Sequence, residues 1–158
     1  MSKRKKPMKK KSSNPMKAHK ARAWKVFSEM IRKRDCLATT GTLTHCVCVT
    51  CGKTVEYGAS LHCGHFVPSR ANSILYRQDN VAGQCMACNF YGQGKQIEFT
   101  LWMQKHHGQD VIDELLALKH KAVTFTTDEL DEMMAGWRTQ IAELESSHSK
   151  NCDVNSEK

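Results

Sequence analysis

The stretches Cys48-Val-Thr-Cys51 and Cys85-Met-Ala-Cys88 decide the fold of this 158-residue chain, and 33 residues lie between them. Two residues between paired cysteines let both thiolates reach one ion from a tight turn. Four thiolates complete the closed tetrahedral shell of a structural zinc ion. Gly52 follows the first pair and gives the backbone the freedom that such a turn needs. We therefore expect Cys48, Cys51, Cys85 and Cys88 to bind one Zn²⁺.

The remaining cysteines leave one ambiguity in this assignment. Cys46 could take the place of Cys48, although the two-residue spacing favours Cys48. Cys36, Cys63 and Cys152 have no partner at ligand spacing, and we interpret them as ordinary thiols. We expect a cytoplasmic, reducing environment and no membrane partner, because no apolar segment follows the basic start of the chain or approaches the length of a membrane span.

Positive charge is concentrated at the N-terminal end of the chain. Residues 1–34 hold 14 of the 24 Lys and Arg residues and a single acidic residue, whereas the rest hold 10 basic and 15 acidic residues. Basic arms of this kind commonly bind nucleic acids by releasing counterions from phosphates. The alternative is a solubilising tail with no dedicated partner. We predict that residues 1–18 are a disordered basic arm.

Outside the cysteine motifs the pattern is mostly helical. Residues 21–34 repeat apolar side chains at helical spacing and predict an amphipathic helix. Its polar face is free to meet phosphate and carries Arg22, Lys25, Arg32 and Lys33. Residues 36–67 suit short strands and turns, and helices return after about residue 97. We therefore predict one mostly helical α+β domain over residues 19–146 and a disordered tail over residues 147–158.

The last predicted helix begins at a capping box, Thr126-x-x-Glu129. An apolar stripe covers one face of this helix for about four turns. The stripe consists of Leu130, Met133, Met134, Trp137, Ile141 and Leu144. Core packing is the default interpretation of the stripe, and a homodimer surface is the alternative.

The segment between the cysteine pairs carries a second pattern. It contains His65-Phe-Val-Pro68, with His62 three residues earlier, Asn80 five residues before Cys85, and Asn89 directly after Cys88. This pattern resembles the HNH, or His-Me finger, nucleases, especially the zinc-containing endonuclease VII type. In that type a β-hairpin between two cysteine pairs carries the general base. The resemblance implies a small ββα-metal, treble-clef-like core.

A narrower resemblance covers residues 24 to about 144. His62-Cys-Gly-His65, followed by Asp-Asn-Val-x-x-Gln-Cys-x-x-Cys-Asn at 79–89, is similar to the phage NinG (Rap) family of recombination nucleases. This resemblance implies a phage protein that cuts branched DNA, such as Holliday junctions and D-loops, inside the bacterial host. It places Gly64 where many HNH sites have Asp. Because residues three apart on a flat strand face opposite ways, we expect Gly64 to bend the hairpin.

The resemblance assigns chemical roles that suit these residue types. His65 is the general base that activates water, because an imidazole ordinarily titrates near neutral pH. His62 and Asn89 hold a catalytic Mg²⁺ or Mn²⁺, which stabilises charge on the phosphate and on the leaving oxygen. Asn80 supports the loop between the two strands.

Three basic residues flank the proposed site and are candidate phosphate contacts: Arg70, Arg77 and Lys95. We interpret the other six histidines as surface residues: His19, His45, His106, His107, His120 and His148. Two functions compete with a nuclease. One is a non-catalytic, zinc-stabilised module that binds nucleic acid through the arm and first helix. The other is a protein-interaction adaptor that docks through residues 130–144.

Overall fold

The structure is a computed structural model and describes residues 14–68 and 71–156, with side chains up to residue 149. Residues 1–13 of the predicted arm, Arg70 and the Cys152 side chain lie outside the described part.

The helices are α1 Pro15–Thr40, α2 Asn72–Leu75, α3 Gln96–His106, α4 Gln109–Leu118 and α5 Thr127–Ser156. The strands are β1 His45–Val47, β2 Thr54–Glu56, β3 Leu61–His65 and β4 Val81–Cys85. A 3-10 turn covers Gln78–Asn80 and a π-helical turn covers Ala87–Tyr91. The predicted mixed, mostly helical class is confirmed.

Helix α1 is longer at both ends than the predicted 21–34. The side-chain Oδ1 of Asn14 accepts a hydrogen bond from the amide of Met16 at 3.0 Å, and Pro15 occupies the first turn. This Asn-Pro pair is a favourable helix start. At the other end Gly41, with φ of 69°, closes the helix in the left-handed conformation. Residues 15–18, part of the predicted arm, are therefore helical.

Helix α5 begins as predicted and ends later than predicted. The carboxylate of Glu129 accepts a hydrogen bond from the Thr126 amide at 2.7 Å, and the Thr126 hydroxyl accepts one from the Glu129 amide at 3.2 Å. The capping box is thus confirmed. The helix continues to Ser156, through most of the segment predicted to be a disordered tail. No Gly or Pro follows Gly136, so the sequence contains no strong helix stop there.

The first hydrophobic core lies between α1 and α5. It contains Ala23, Phe27, Met30 and Ile31 of α1 and Leu130, Met134 and Trp137 of α5. The rings of Phe27 and Trp137 have centroids 5.0 Å apart. Core packing of the α5 stripe is therefore confirmed over its buried part. The buried part of the stripe contacts α1.

The strands form two antiparallel pairs, β1 with β2 and β3 with β4. In the second pair Leu61 lies opposite Cys85 and His65 opposite Val81. A second core beneath this pair takes in α3 and α4 and contains Phe66, Val67, Ile74, Ala82, Phe99, Met103, Ile112 and Leu115. None of the helices in the described ranges has the length and apolarity needed to cross a membrane.

Candidate metal centre and adjoining cleft

The four predicted zinc ligands meet at one point. The sulfur atoms of Cys48, Cys51, Cys85 and Cys88 all lie within 4.8 Å of one another, and the Cys51 and Cys85 sulfurs are 3.8 Å apart. Zinc–sulfur bonds of about 2.3 Å in a tetrahedron separate the sulfurs by about 3.8 Å. The four thiolates could therefore hold one metal ion such as zinc.

Local hydrogen bonds shape both turns of this cluster. Gly52, with φ of 70°, donates its amide hydrogen to the carbonyl of Cys48 at 2.9 Å. The Cys88 amide donates to the sulfur of Cys85 at 3.4 Å. Burial opposes ionisation of the Cys48 thiol, but hydrogen bonds from Thr50 and from backbone amides outweigh it and lower its pKa to about 6. Thiolate is the form that binds metal, so these contacts favour the ion.

Cys46 does not belong to the metal cluster. Its thiol is fully buried against Cys36 of α1, and the hydroxyl of Thr39 donates to it at 3.7 Å. The hydrogen bond to Cys46, together with burial, raises the pKa of the Cys36 thiol. The ambiguity between Cys46 and Cys48 is thus resolved in favour of Cys48.

The structure brings the two predicted ligands of the catalytic ion together. His62 lies on β3, and Asn89 lies in the π-helical turn directly after Cys88. The amide nitrogen Nδ2 of Asn89 is 2.9 Å from Nδ1 of His62. Since Cys88 is one of the four clustered thiols, the metal centre positions Asn89 against His62.

Contacts with α1 and with the loop after β3 help to hold the predicted general base, His65. Its ring stacks on Trp24 of α1, with centroids 4.8 Å apart and planes inclined by 18°. Its Nε2 lies 3.2 Å from the backbone carbonyl oxygen of Leu75. A carbonyl can only accept, so in the neutral ring the proton is on Nε2 and the lone pair is on Nδ1.

A cleft of about 450 Å³ opens between α1 and β3. Its walls are Trp24, Ser28, Arg32, Gly58, Ala59, Leu61, His62, Cys63 and Asn89. None of these described lining residues is acidic. His62 lines this cleft, whereas His65 does not; His65 stacks on Trp24, which forms part of the wall.

Arg32 was predicted to lie on the phosphate-facing side of the first helix, but Trp24 and Ser28 were not predicted to line the cleft. Trp24, Ser28 and Arg32 are spaced by four residues and therefore share one face of a helix. The guanidinium of Arg32 stands over the ring of Tyr57 at 5.0 Å, and its Nε donates to the carbonyl of Ser28 at 3.1 Å. Arg32 thus presents a cation at the wall of the cleft.

Gly64 does not bend β3, contrary to the prediction. The strand is regular, and Gly64 pairs with Ala82. A Cβ atom at position 64 would lie 2.0 Å from Oε1 of Gln84. Gln84 is fully buried, and its Nε2 donates to the carbonyl of Gly94 at 2.8 Å and to the hydroxyl of Thr50 at 3.2 Å. Glycine is therefore needed to make room for a side chain that braces both turns of the metal centre.

Asn80 ties together the loop between β3 and β4. The residue is fully buried. Its Oδ1 accepts from the Val67 amide at 2.9 Å, and its Nδ2 donates to the Ile74 carbonyl at 3.2 Å. These bonds hold the loop that supplies the Leu75 carbonyl to His65.

Two of the predicted phosphate contacts are engaged in ion pairs. Arg77 pairs with Asp79 and, at 2.8 Å, with Glu114. Lys33 pairs with Glu145 and, at 3.3 Å, with Glu29. Arg77 and Lys33 were predicted to contact phosphate. In the folded chain their charges are paired with neighbouring carboxylates.

The other basic candidates differ in their surroundings. Lys25 is exposed, and the exposed Lys95 lies 3.8 Å from the Glu98 carboxylate. Arg22 contacts Nδ1 of His19 at 2.7 Å. His19 is buried, with its Nε2 2.9 Å from the Asp131 carboxylate, so its interpretation as a surface residue was wrong.

These features define a mostly helical α+β protein with a cluster of four cysteines that could hold a metal ion, beside an open cleft. A family model described as Bacteriophage Lambda NinG protein matches residues 1–147, and the chain therefore belongs to the NinG family. A search of curated proteins and a search of solved structures each found no match.

Proposed function

We propose that this chain is a divalent-metal-dependent DNA endonuclease that cuts branched recombination intermediates during phage recombination in the host cytoplasm. The observation that carries the proposal is the 2.9 Å contact between His62 and Asn89 at the wall of the cleft. A nucleic-acid-binding module needs the four thiolates and basic side chains, but it has no need of this pair. The resemblance to recombination nucleases suggests the branched substrate.

The donor set of the cleft suits a weakly held hard cation. Nδ2 of Asn89 donates to Nδ1 of His62 in the structure. With the Asn89 amide turned so that Nδ1 is released, His62 would offer an imidazole nitrogen and Asn89 an amide oxygen, both neutral. Two neutral ligands leave most of the coordination shell to water and to phosphate oxygens, as Mg²⁺ and Mn²⁺ prefer. When bound, such an ion stabilises the charge that develops on the phosphoryl and leaving oxygens.

His65 acts as the general base in this proposal. The hydrogen bond to the Leu75 carbonyl keeps the proton of the neutral ring on Nε2, so Nδ1 has the lone pair that accepts a proton from water. The stack on Trp24 fixes the plane of the ring. After the transfer the Nε2 proton still has its carbonyl acceptor, so the ring need not turn.

Arg32 is the residue we assign to the scissile phosphate. Its guanidinium lines the same cleft as His62 and Asn89. Its partners among the described residues, a backbone carbonyl and an aromatic ring, leave its positive charge unneutralised. A guanidinium binds phosphate through charge-assisted hydrogen bonds.

Three single substitutions test the mechanism. His65→Ala should slow cleavage of a four-way junction by roughly 10²–10⁴-fold, because it removes the general base. His62→Ala and Asn89→Ala should also be slow, and raised Mn²⁺ should partly restore them, because each removes only one ligand. His65→Ala should not respond to added metal. His120→Ala, at an exposed histidine outside the cleft, is the matched control.

The alternative function is a non-catalytic, zinc-stabilised nucleic-acid-binding module. It is favoured by one observation, the lack of a carboxylate among the described residues of the cleft. A parent protein that binds junction DNA but cuts none with Mg²⁺ or Mn²⁺ would establish this alternative. Equal cleavage rates in the parent and the three variants would contradict the His65 mechanism.

A further inference from the structure

Two aromatic side chains stand exposed beside the cleft. Phe90 and Tyr91 follow Asn89 directly in the π-helical turn, and they are 69% and 72% exposed. Their rings meet edge to face, with centroids 5.2 Å apart and planes at 89°. Two adjacent exposed rings form the kind of patch that can mark a binding surface.

The turn that presents these rings is rigidly held. The Gly92 amide donates to the carbonyl of Ala87 at 2.7 Å, and the Gly94 amide donates to that of Cys88 at 2.9 Å. A Cβ atom at position 92 would lie 2.9 Å from the Cys88 carbonyl oxygen, so the chain passes itself closely there. Because Cys88 also belongs to the four-thiolate cluster, the rings stand on a preorganised platform.

We propose that Phe90 and Tyr91 stack on unpaired nucleobases of the DNA strand whose phosphate lies in the cleft. This inference rests on the proposed function and names the substrate feature that the site reads. Phe90 directly follows Asn89, so their Cα atoms are about 3.8 Å apart. A strand that brings its phosphate to Asn89 therefore brings its bases to the rings.

The chemistry around the rings favours a nucleobase over a protein partner. Arg32 lies in the adjoining cleft, and no described lining residue is acidic. The exposed Lys95 lies close to Gly92, with its ammonium 3.8 Å from the Glu98 carboxylate. Aromatic rings set among basic side chains are the pattern by which proteins bind unpaired strands. Bases inside a duplex are already stacked on their neighbours, whereas unpaired bases at a branch offer a free face. The platform thereby accounts for a preference for branched DNA.

The test compares the affinity for a four-way junction with that for a linear duplex of equal length, without added divalent ion. Loss of one stacked base corresponds to about 1–3 kcal/mol, or about 5- to 150-fold in affinity. The double variant with Phe90→Ala and Tyr91→Ala should lower the ratio of junction to duplex affinity by at least about 5-fold. In the parent, 2-aminopurine at the branch should be quenched on binding, and the double variant should lose the quenching.

Two control pairs separate stacking from simple apolar contact. Phe90→Leu with Tyr91→Leu keeps apolar surface without flat rings and should behave as the alanine pair does. Ile97 and Leu101 of α3 are equally exposed aliphatic residues, at 77% and 62%, and changing both to Ala should leave the ratio unaltered. Metal content, measured for every variant, verifies that the turn has folded.

Any of three results would contradict the stacking proposal. The double alanine variant could keep the parent's affinity ratio, the double leucine variant could keep that ratio, or the parent protein could fail to bind DNA. A change of mass in sedimentation without a change in DNA affinity would make the rings a protein interface instead. Failure of the proposed function is distinguishable, because a parent that binds junctions but cuts none still gives a measurable affinity ratio.

Discussion

His62 and His65 stand three residues apart on one strand, and each faces a different neighbour. His62 meets Asn89, and His65 stacks on Trp24. Residues three apart on a regular strand point to opposite faces, so a bend at Gly64 was expected to bring them together. The strand is regular, so the structure does not bring the two rings together: His62 lines the cleft, and His65 contacts the wall of the cleft through Trp24.

Gly64 gives a prediction at this scale. Gly64→Ala should lower the free energy of unfolding by about 1–3 kcal/mol, because its Cβ would overlap the buried Gln84 side chain. Gln84→Ala removes the overlapping atoms, so adding Gly64→Ala to that variant should cost much less. Chemical denaturation of the two single variants and the double variant measures this coupling.

Gly136→Ala is the matched control for this cycle. It adds a Cβ on α5 with nothing within 4 Å, and an alanine is favoured over glycine inside a helix. We therefore expect no loss of stability. Strictly additive effects of Gly64→Ala and Gln84→Ala would contradict the steric explanation.

At the scale of elements, the four-cysteine cluster connects segments that have little stability of their own. The cluster connects the turn after β1, the end of β4 and the π-helical turn. Each sheet has only two strands, and isolated two-stranded sheets are marginal in water. Metal binding at such a cluster contributes directly to folding.

Two cysteine substitutions test this arrangement. Cys85→Ser should abolish stoichiometric metal binding and lower the melting temperature strongly, because a hydroxyl replaces one of the four thiolates. Cys46→Ser should retain one metal ion per chain, with a smaller loss of stability from its buried contact with Cys36. Elemental analysis and thermal unfolding measure both effects. Retention of the ion by Cys85→Ser, or its loss from Cys46→Ser, would show that the ligand assignment is wrong.

At the scale of the whole molecule, α1 serves the core and the cleft at once. One face packs Phe27, Met30 and Ile31 against α5, while Trp24 and Arg32 reach the cleft. A hydrogen bond between His19 and Asp131 and an ion pair between Lys33 and Glu145 add to the contact between the two helices. The packing of α5 therefore helps to position one wall of the candidate site.

The N-terminal charge gives a prediction for the intact chain. Deleting residues 1–13 removes seven Lys and Arg residues and leaves the Asn14 cap and Pro15 of α1 in place. The slope of log affinity for duplex DNA against log salt should become shallower by up to ~0.9 for each phosphate that the shortened chain no longer neutralises. Binding titrations at several salt concentrations measure it, with equal melting temperatures as the folding control. An unchanged slope would show that this segment does not contact the DNA backbone.

The sequence alone determined the features that depend on residues a few positions apart. Cysteine spacing predicted the four-thiolate cluster, and the turn at Gly52 and the capping box at Thr126 followed from local chemistry. Hydrophobic periodicity predicted the mixed, mostly helical class. The ends of helices were harder to predict from the sequence. Helix α5, for example, lacks a strong stop signal and continues beyond its apolar stripe.

Tertiary structure decided which distant side chains meet. Arg77 is neutralised by Glu114, 37 residues away, and His19 is buried against Asp131, 112 residues away. In the same way, packing sets Cys46 against Cys36 and Trp24 beneath His65. Spacing along the chain cannot reveal these pairs, because they depend on how α1 crosses the strands and α5. Local chemistry therefore predicted the four clustered cysteines, whereas long-range packing selected the partners of the basic and histidine side chains.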